Sequence, residues 1–509
     1  MMTAPSSGSG LSLTHLLDGL VADPSAVPDI GVLGLATDSR EVRPGYLFLA
    51  SQGLQDHGLR HAAVALEKGA VAVLWEPTED AGVMQIAERL TVPAIAVPGL
   101  GRQLGFIADH YYASPSRQLH MMGVTGTDGK TSVTHFIAQA LVQSGQVCGL
   151  LGTLGYGVYG QLQPPTHTTP DPLRLQEELA ILRDQGVAQV AMEVSSHALH
   201  QHRTAGVAFN TAVLTHLSRD HLDYHGSVEA YAEAKRRLFM SPDLECAVLN
   251  LNDDFGRELA QSLKHQLRVI AYHARPEPLH EFNDWLALRE LRYLPEGLAL
   301  QIDSSNGEAQ FQAALLGGFN AENLLAALGA LLASGMPLDV AVRSLSAVET
   351  VPGRMELFAQ PGLPRVVVDY AHTPHALESA LQALRPHCVG ELICVFGAGG
   401  DRDTGKRAPM GAAAERYADR VYLTSDNPRS ENPDAILDQI LAGFTAPQRV
   451  LRIADRALAI ETAIRDAVPD DLVLVAGKGH EDYQQVGTEK RPFSDRVQVQ
   501  QVLRRPVSW

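Results

Sequence analysis

The sequence predicts an α/β protein of three domains, and three observations predict it. Short apolar runs alternate with stretches of helical periodicity along almost the whole chain, the pattern left by sheets whose parallel strands are joined by helices. Pro and Gly concentrate at 97–101 and at 351–354, and after each the alternation restarts. The length, 509 residues, accommodates three domains at about 150 residues each. The expected architecture is a small N-terminal α/β domain over 1–100, a central P-loop ATPase-like doubly wound sheet over 101–349, and a Rossmann-like C-terminal domain over 350–509.

In order, the Ser/Gly/Pro opening through Gly10 is too polar to bury a core and reads as a frayed tail. Gly45–Ala50, Val71–Leu74 and Ala94–Val97 read as strands, with a helix at Ala62–Lys68. The central series has strands at Leu119–Val124, Val147–Leu151, Val187–Glu193, Ala212–Leu214, Cys246–Leu249 and Leu267–Ala271, and helices at 130–143, 173–184, 228–239 and 253–264. Residues 280–316 look like hairpins, and Asn320–Ala333 is a strongly apolar helix. The last series, Val366–Val368, Leu392–Phe396, Val421–Leu423, Val450–Ile453 and Leu472–Val475, suggests a Rossmann unit resembling the six-stranded type.

Composition narrows the function. Lys+Arg 41 against Asp+Glu 58 gives a net charge of -17, which disfavours a nucleic-acid or anionic-lipid partner. Mean hydropathy is -0.05, no apolar run reaches the ~18 residues that span a bilayer, and the start lacks signal-peptide character. A cytoplasmic protein with no membrane partner is expected. Cys148, Cys246, Cys388 and Cys394 show no metal-ligand spacing and read as reduced thiols.

Gly123 to Thr131, GVTGTDGKT, fits G-x-x-x-x-G-K-[ST] between a strand and a helix. Its backbone amides can surround phosphates, Lys130 can neutralise the β and γ oxygens, and the Thr131 hydroxyl can bind Mg2+. Glu193 ends a strand at the edge where open sheets bind ligands and is a natural Mg2+ carboxylate; the alternative is a solvated strand-end residue. His216, His221 and His225 follow another strand end, where they could bind a metal, act as a base, or cap a helix. Lys235 by itself reads as a surface lysine.

Together GVTGTDGKTS, MEVSSHAL, LTHLSRDHLDYHGSVEAYAEAKRRLF, FNAENLLAA, VDYAHTPHAL and FGAGGDRDTGKRAPM resemble the Mur ligases of peptidoglycan precursor synthesis, in order, from about residue 35 to 496. TDSR at 37–40, TTPD at 168–171, DNPR at 426–429 and GKGHEDYQ at 477–484 resemble the branch that adds the third residue of the stem peptide, in its meso-diaminopimelate-adding form. The resemblance implies an ATP-dependent amide ligase that works through an acyl phosphate.

It further implies an ATP site at Gly126, Thr127, Asp128, Gly129, Lys130, Thr131 and Ser132, with Asn320 on adenine and Arg354 and Asp369 near ribose and phosphate. Catalysis falls to Lys130, Glu193, His221 and Lys235. Two Mg2+ ions are implied, one on Thr131 and Glu193, one on His221 and Lys235 carried as the carbamate N6-carboxylysine. UDP-N-acetylmuramoyl-L-alanyl-D-glutamate is expected at Thr37, Ser39, Gly53, Leu54 and Gln55, and at Thr168, Thr169, Ser195, Gln201 and Arg203. Diaminopimelate is expected at Arg402, Asp426, Asn427, Pro428, Arg429, Gly477 and Glu481. A monomer is expected.

The Arg of DNPR favours diaminopimelate over L-lysine, because only the former has a distal carboxylate to pair with it. A folylpolyglutamate synthase would share the phosphate loop but not TDSR, TTPD and DNPR. Departures from the family pattern are Asp128 where Asn is usual, His375 where Asp is usual, and a shuffled Asp56-His57-Gly58 turn.

Overall fold

The computed structural model describes residues 10–21, 27–53, 56–165, 167–276 and 279–504. Two of the expected contacts, Leu54 and Gln55, and nearly all of the expected tail lie outside them. The chain separates into two compact units, residues 1–270 and 271–509.

In the first unit, Gly34–Ala36, Tyr46–Ala50, Ala72–Trp75 and Ala94–Ala96 form a four-stranded parallel sheet. A second sheet runs Cys246–Asn250, Thr211–Leu214, His120–Thr125, Gln189–Glu193, Cys148–Gly152 in parallel, closed by Gly155–Val158 antiparallel to its neighbour. The strand bearing the phosphate loop is therefore flanked on both sides and buried, which explains its apolar run Met-Met-Gly-Val. Parallel neighbours need crossovers, and Lys130–Gln143 and Pro172–Asp184 supply them. Chain direction then places Thr125, Gly152, Glu193 and Leu214 at one carboxyl edge, where such sheets bind ligands.

In the second unit, Asp284–Leu294, Gly297–Ser304 and Gly307–Ala313 pair as an antiparallel meander through short turns. Helix Phe319–Ala333 is buried on nearly every face, as its apolar composition requires. A six-stranded sheet follows in the order Glu356–Phe358, Arg365–Asp369, Leu472–Ala476, Leu392–Phe396, Arg420–Leu423, Leu451–Arg452. It departs from the expected Rossmann pattern in two ways. Its first strand is antiparallel, because the link from Phe358 to Arg365 is too short for a crossover. Its last strand in chain order, Leu472–Ala476, inserts beside the second, between Arg365–Asp369 and Leu392–Phe396. Apolar layers cover both faces, one around Leu381, Met410 and Ile440, the other around Ile460, Val499 and Leu503. Among the described residues no helix is long and apolar enough to cross a membrane, and all four cysteines are free thiols.

Candidate active site

The phosphate loop is shaped by close approach. Gly126 has φ 153°, and a Cβ there would fall 1.9 Å from Thr215 Oγ1, so only glycine fits. Gly129, left-handed, precedes helix Lys130–Gln143, whose first amides face an incoming anion. Lys130 folds back: Nζ donates to the Gly126 and Thr127 carbonyls, both at 2.9 Å. Burial pushes its pKa down, while the carboxylates of Glu193, Asp128 and Asp220 act the other way.

Glu193 is 1% exposed, which removes the solvated strand-end reading. Its Oε2 accepts from Thr131 Oγ1 at 2.9 Å and its Oε1 from the Thr153 amide at 2.8 Å. Burial raises its pKa, opposed chiefly by the Thr153 N–H and Lys130. Thr131 and Glu193 thus put hard oxygen donors side by side, a set that suits Mg2+ completed by water and phosphate oxygens. Among the described residues no group of three or more His, Cys, Asp or Glu is arranged to hold a metal. Gly152 makes room: a Cβ there would lie 2.3 Å from Glu193 Oε1.

The surface reading of Lys235 is wrong. It is 1% exposed, its Nζ donates to the Gly126 carbonyl at 2.6 Å and lies 4.6 Å from the Tyr231 ring centre. Burial, and then the charge of Lys130, drives its pKa well below that of a free lysine. A lowered pKa favours the neutral amine, the form that can add CO2, so the residue suits a carbamate. His221 flanks the same Tyr231, at 6.1 Å between ring centres; its ring is half exposed, with Nε2 3.4 Å from Asp220 Oδ2. His225 instead bonds Ser196 Oγ at 3.1 Å, and His216 lies 3.5 Å from Asp253 Oδ2.

The expected muramoyl-peptide residues gather beside Glu193. Thr168 accepts from Thr153 Oγ1 at 3.1 Å, and Thr169 Oγ1 joins the Glu193 carbonyl at 2.9 Å to the Ser195 amide at 3.1 Å. Arg203 is half-buried, its fork on Gln201 Oε1 at 2.6 and 2.9 Å and on the Thr169 carbonyl at 3.2 Å. In the small sheet domain Ser39 is buried and Thr37 exposed. The Gly53 amide bonds the Asp56 carbonyl at 3.0 Å. His57, in the shuffled turn, is buried between the Leu59 amide and the Glu76 carbonyl. Asp128 is exposed on the loop, and His375 is exposed on helix Pro374–Leu384.

The second unit carries the remaining residues, Asn320 on helix Phe319–Ala333 and the others by the carboxyl edge of the six-stranded sheet. Asp369 accepts from the Met355 and Ala371 amides, both at 2.8 Å; burial raises its pKa against those amides and Arg354. The Arg354 guanidinium lies 5.0 Å from the Tyr370 ring centre. Asn320 is buried between the Leu316 carbonyl and Asn323. Asp426 abuts Gly477, where a Cβ would come within 2.6 Å of Oδ2. Asn427 Nδ2 donates to Glu481 Oε2 at 2.9 Å. Arg429, at φ 50°, gives Nη1 to the Gly400 carbonyl at 2.6 Å and with the exposed Arg402 borders Gly399. Pro428 is buried in the same turn.

Sequence reasoning missed Thr153 and Lys478. Thr153 follows a strand end, the same signal that marked Glu193. Lys478 is fully buried, its Nζ on Asn427 Oδ1 at 3.0 Å and Glu481 Oε2 at 3.1 Å; it stands inside the motif that supplied Gly477 and Glu481.

Three family models match the chain: Mur ligase family, catalytic domain, over 32–112; Mur ligase middle domain over 124–331; and Mur ligase, glutamate ligase domain, over 353–479. The chain is 54% identical to a UDP-N-acetylmuramoyl-L-alanyl-D-glutamate--2,6-diaminopimelate ligase of Alkalilimnicola ehrlichii, over 93% of this chain and 95% of that protein. It is 49% identical to the ligase of the same name from Pseudomonas aeruginosa, over 94% and 96%. A solved structure of a ligase of that name superimposes with a TM-score of 0.77 at 34% identity, covering 97% of this chain and 99% of the other.

Proposed function

The chain belongs to the Mur ligase family, ATP-dependent ligases that use Mg2+, and we propose that it joins meso-diaminopimelate to the D-glutamate of UDP-N-acetylmuramoyl-L-alanyl-D-glutamate. We assign the UDP-substrate domain to 1–100, the ATP domain to 101–349 and the amino-acid domain to 350–509, in a cytoplasmic monomer. The observation that carries the choice of amine is a cluster of loops in the second unit: Asn427 bonds Glu481, Asp426 abuts Gly477, and Arg429, two residues after Asn427, bonds the Gly400 carbonyl. An amino acid head group at the far end of the amine would find a cation for its carboxylate and an anion for its ammonium there.

A carboxylate is a poor electrophile; transfer of the γ-phosphoryl of ATP to it makes an acyl phosphate, from which the incoming amine displaces phosphate. Lys130 and the loop amides from Gly126 to Ser132 hold the triphosphate and offset charge as the phosphoryl moves. Mg2+, when bound, neutralises phosphate oxygens. We assign one ion to Thr131 and Glu193, and a second to His221 with Lys235 as its carbamate. Asn320, Arg354 and Asp369 are assigned to adenine, ribose and phosphate. Thr37, Ser39 and the turn 53–55 are assigned to the uridine diphosphate, and Arg203 with Gln201, Ser195, Thr168 and Thr169 to the peptide carboxylates. Arg402 and Gly477 complete the amine pocket.

The test is release of phosphate from ATP. Dependence on both the UDP-muramoyl dipeptide and diaminopimelate is expected; release that is faster with L-lysine than with diaminopimelate, or that a folate substrate supports, would overturn the assignment.

A further inference from the structure

The second unit ends in a helix, Asp495–Arg504, that lies beyond the matched family segment ending at 479. Its first two residues reach in different directions. Asp495 forms a bidentate pair with Arg456, Oδ1 with Nε at 2.7 Å and Oδ2 with Nη2 at 2.6 Å, and both side chains are 0% exposed. The same guanidinium donates through Nη2 to the Ala476 carbonyl at 2.9 Å and through Nη1 to the Ser425 carbonyl at 3.4 Å. Those carbonyls stand immediately before Gly477 and Asp426, where the two amine-binding loops begin. One planar group therefore sets the spacing of both loops.

Arg496 reaches the other way. Its fork pairs with Glu356 at 2.6 and 2.8 Å, and Glu356 Oε2 accepts from the Gly353 amide at 2.7 Å. Gly353 is pressed against the loop that holds Lys478: a Cβ there would sit 2.1 Å from the His480 nitrogen. Arg496 thereby fixes the turn that presents Arg354.

Stability alone does not account for the Arg456–Asp495 pair. Burying two charges costs about as much as their attraction returns, and well-packed apolar residues of similar size often do as well or better. What an apolar pair cannot do is hold two loop carbonyls in register. We propose that Asp495 and Arg496 form a two-pronged strut, positioning the amine pocket through Arg456 and the nucleotide turn through Glu356. The strut rests on the function proposed above and adds to it residues that touch no substrate.

The test is a crossed kinetic comparison in the full chain. Arg456→Lys keeps the charge but loses the fork, and should raise KM for diaminopimelate by about 10-fold or more with KM for ATP within about twofold, since small displacements of binding groups cost up to about 10²-fold. Arg496→Met should do the reverse. If R456K does not fold by circular dichroism, Asp495→Glu, which keeps the pair and lengthens it by one carbon, is read by the same ratio. Both KM values moving together in each variant, or neither moving, overturns the strut. Wild-type turnover that ignores diaminopimelate overturns the functional reading and the amine prong with it, and is seen before any variant is made.

Discussion

The amino groups of Lys130 and Lys235 converge on one acceptor: the Gly126 carbonyl takes a hydrogen bond of 2.9 Å from the first and 2.6 Å from the second. Two ammonium groups that close repel, and burial together with the charge of Lys130 pushes the Lys235 pKa well below that of a free lysine. We assign the carbamate to Lys235, whose pKa is shifted furthest toward the neutral amine that adds CO2, and the phosphate contact to Lys130. Lys235→Ala should lower kcat by about 10²-fold or more, the scale of removing one electrostatic group from a phosphoryl-transfer site, and a short carboxylic acid should restore part of it. Carbon-13 NMR in labelled bicarbonate should show a carbamate resonance that the variant lacks. A fully active K235A protein would end the assignment.

The same shift has a consequence for the ligand-free protein. Lys235 has a folded pKa below its unfolded value near 10.5, so between the two the unfolded chain binds more protons and stability rises with pH. As pH falls through that window the folded state loses stability, reaching the full penalty below the folded value. Lys235→Met should flatten this slope in urea denaturation from neutral pH to pH 10, with Lys130, shifted the same way, supplying what remains. An unchanged slope would mean that Lys235 keeps its proton on folding.

Glu193 and Gly152 offer a test of the metal assignment that removes no donor. An alanine methyl at 152 would meet Glu193 Oε1 at 2.3 Å, and the carboxylate must move because the strand cannot. Gly152→Ala should raise the Mg2+ concentration needed for half-maximal turnover and lower kcat by up to about 10²-fold. Binding of the UDP-muramoyl dipeptide without ATP, followed by calorimetry, should hardly change. Equal loss of dipeptide binding would place Glu193 on that substrate.

Lys130→Ala should separate chemistry from binding in the same way. With its charge gone from the phosphate loop, kcat should fall by about 10²- to 10³-fold while dipeptide affinity measured without nucleotide stays put. Parallel loss of both would assign this lysine to the peptide.

Much of this was legible in the chain. Helices 130–143 and 228–239 appear with the expected bounds, because a left-handed Gly129 and a Ser227 cap fix where they start. The burial of Lys235 was also legible: with Tyr231, Ala234 and Leu238 it shares the inward stripe of its helix. A charged residue type outweighed that periodicity in the sequence reading. The strand order of the last sheet was not legible, because any crossover of sufficient length satisfies the local pattern, and only long-range packing inserts Leu472–Ala476 beside Arg365–Asp369. Lys478 was hidden for a related reason. A lysine between glycines looks solvated until Asn427, 51 residues away, arrives to accept a hydrogen bond from it.

We assign the choice between amines to Arg429. Its left-handed backbone, φ 50°, is held by a Gln485 carbonyl at 3.1 Å and a Gly487 amide at 2.7 Å, and one N–H of its fork is fixed on Gly400. A strained conformation kept in place by surrounding bonds presents the guanidinium rather than letting it sweep solvent. Diaminopimelate brings a distal carboxylate to that group; lysine brings only an ammonium and leaves the cation unpaired. Arg429→Ala should therefore lower kcat/KM for diaminopimelate by about 10²-fold or more, within the ~2 to 5 kcal/mol typical of truncating a buried charge pair. Any slow reaction with lysine should be nearly untouched, so the ratio of the two specificity constants is the quantity to measure. A wild-type enzyme that prefers lysine, or an R429A variant that weakens both amines equally, would make this arginine a support for the Gly400 loop and nothing more.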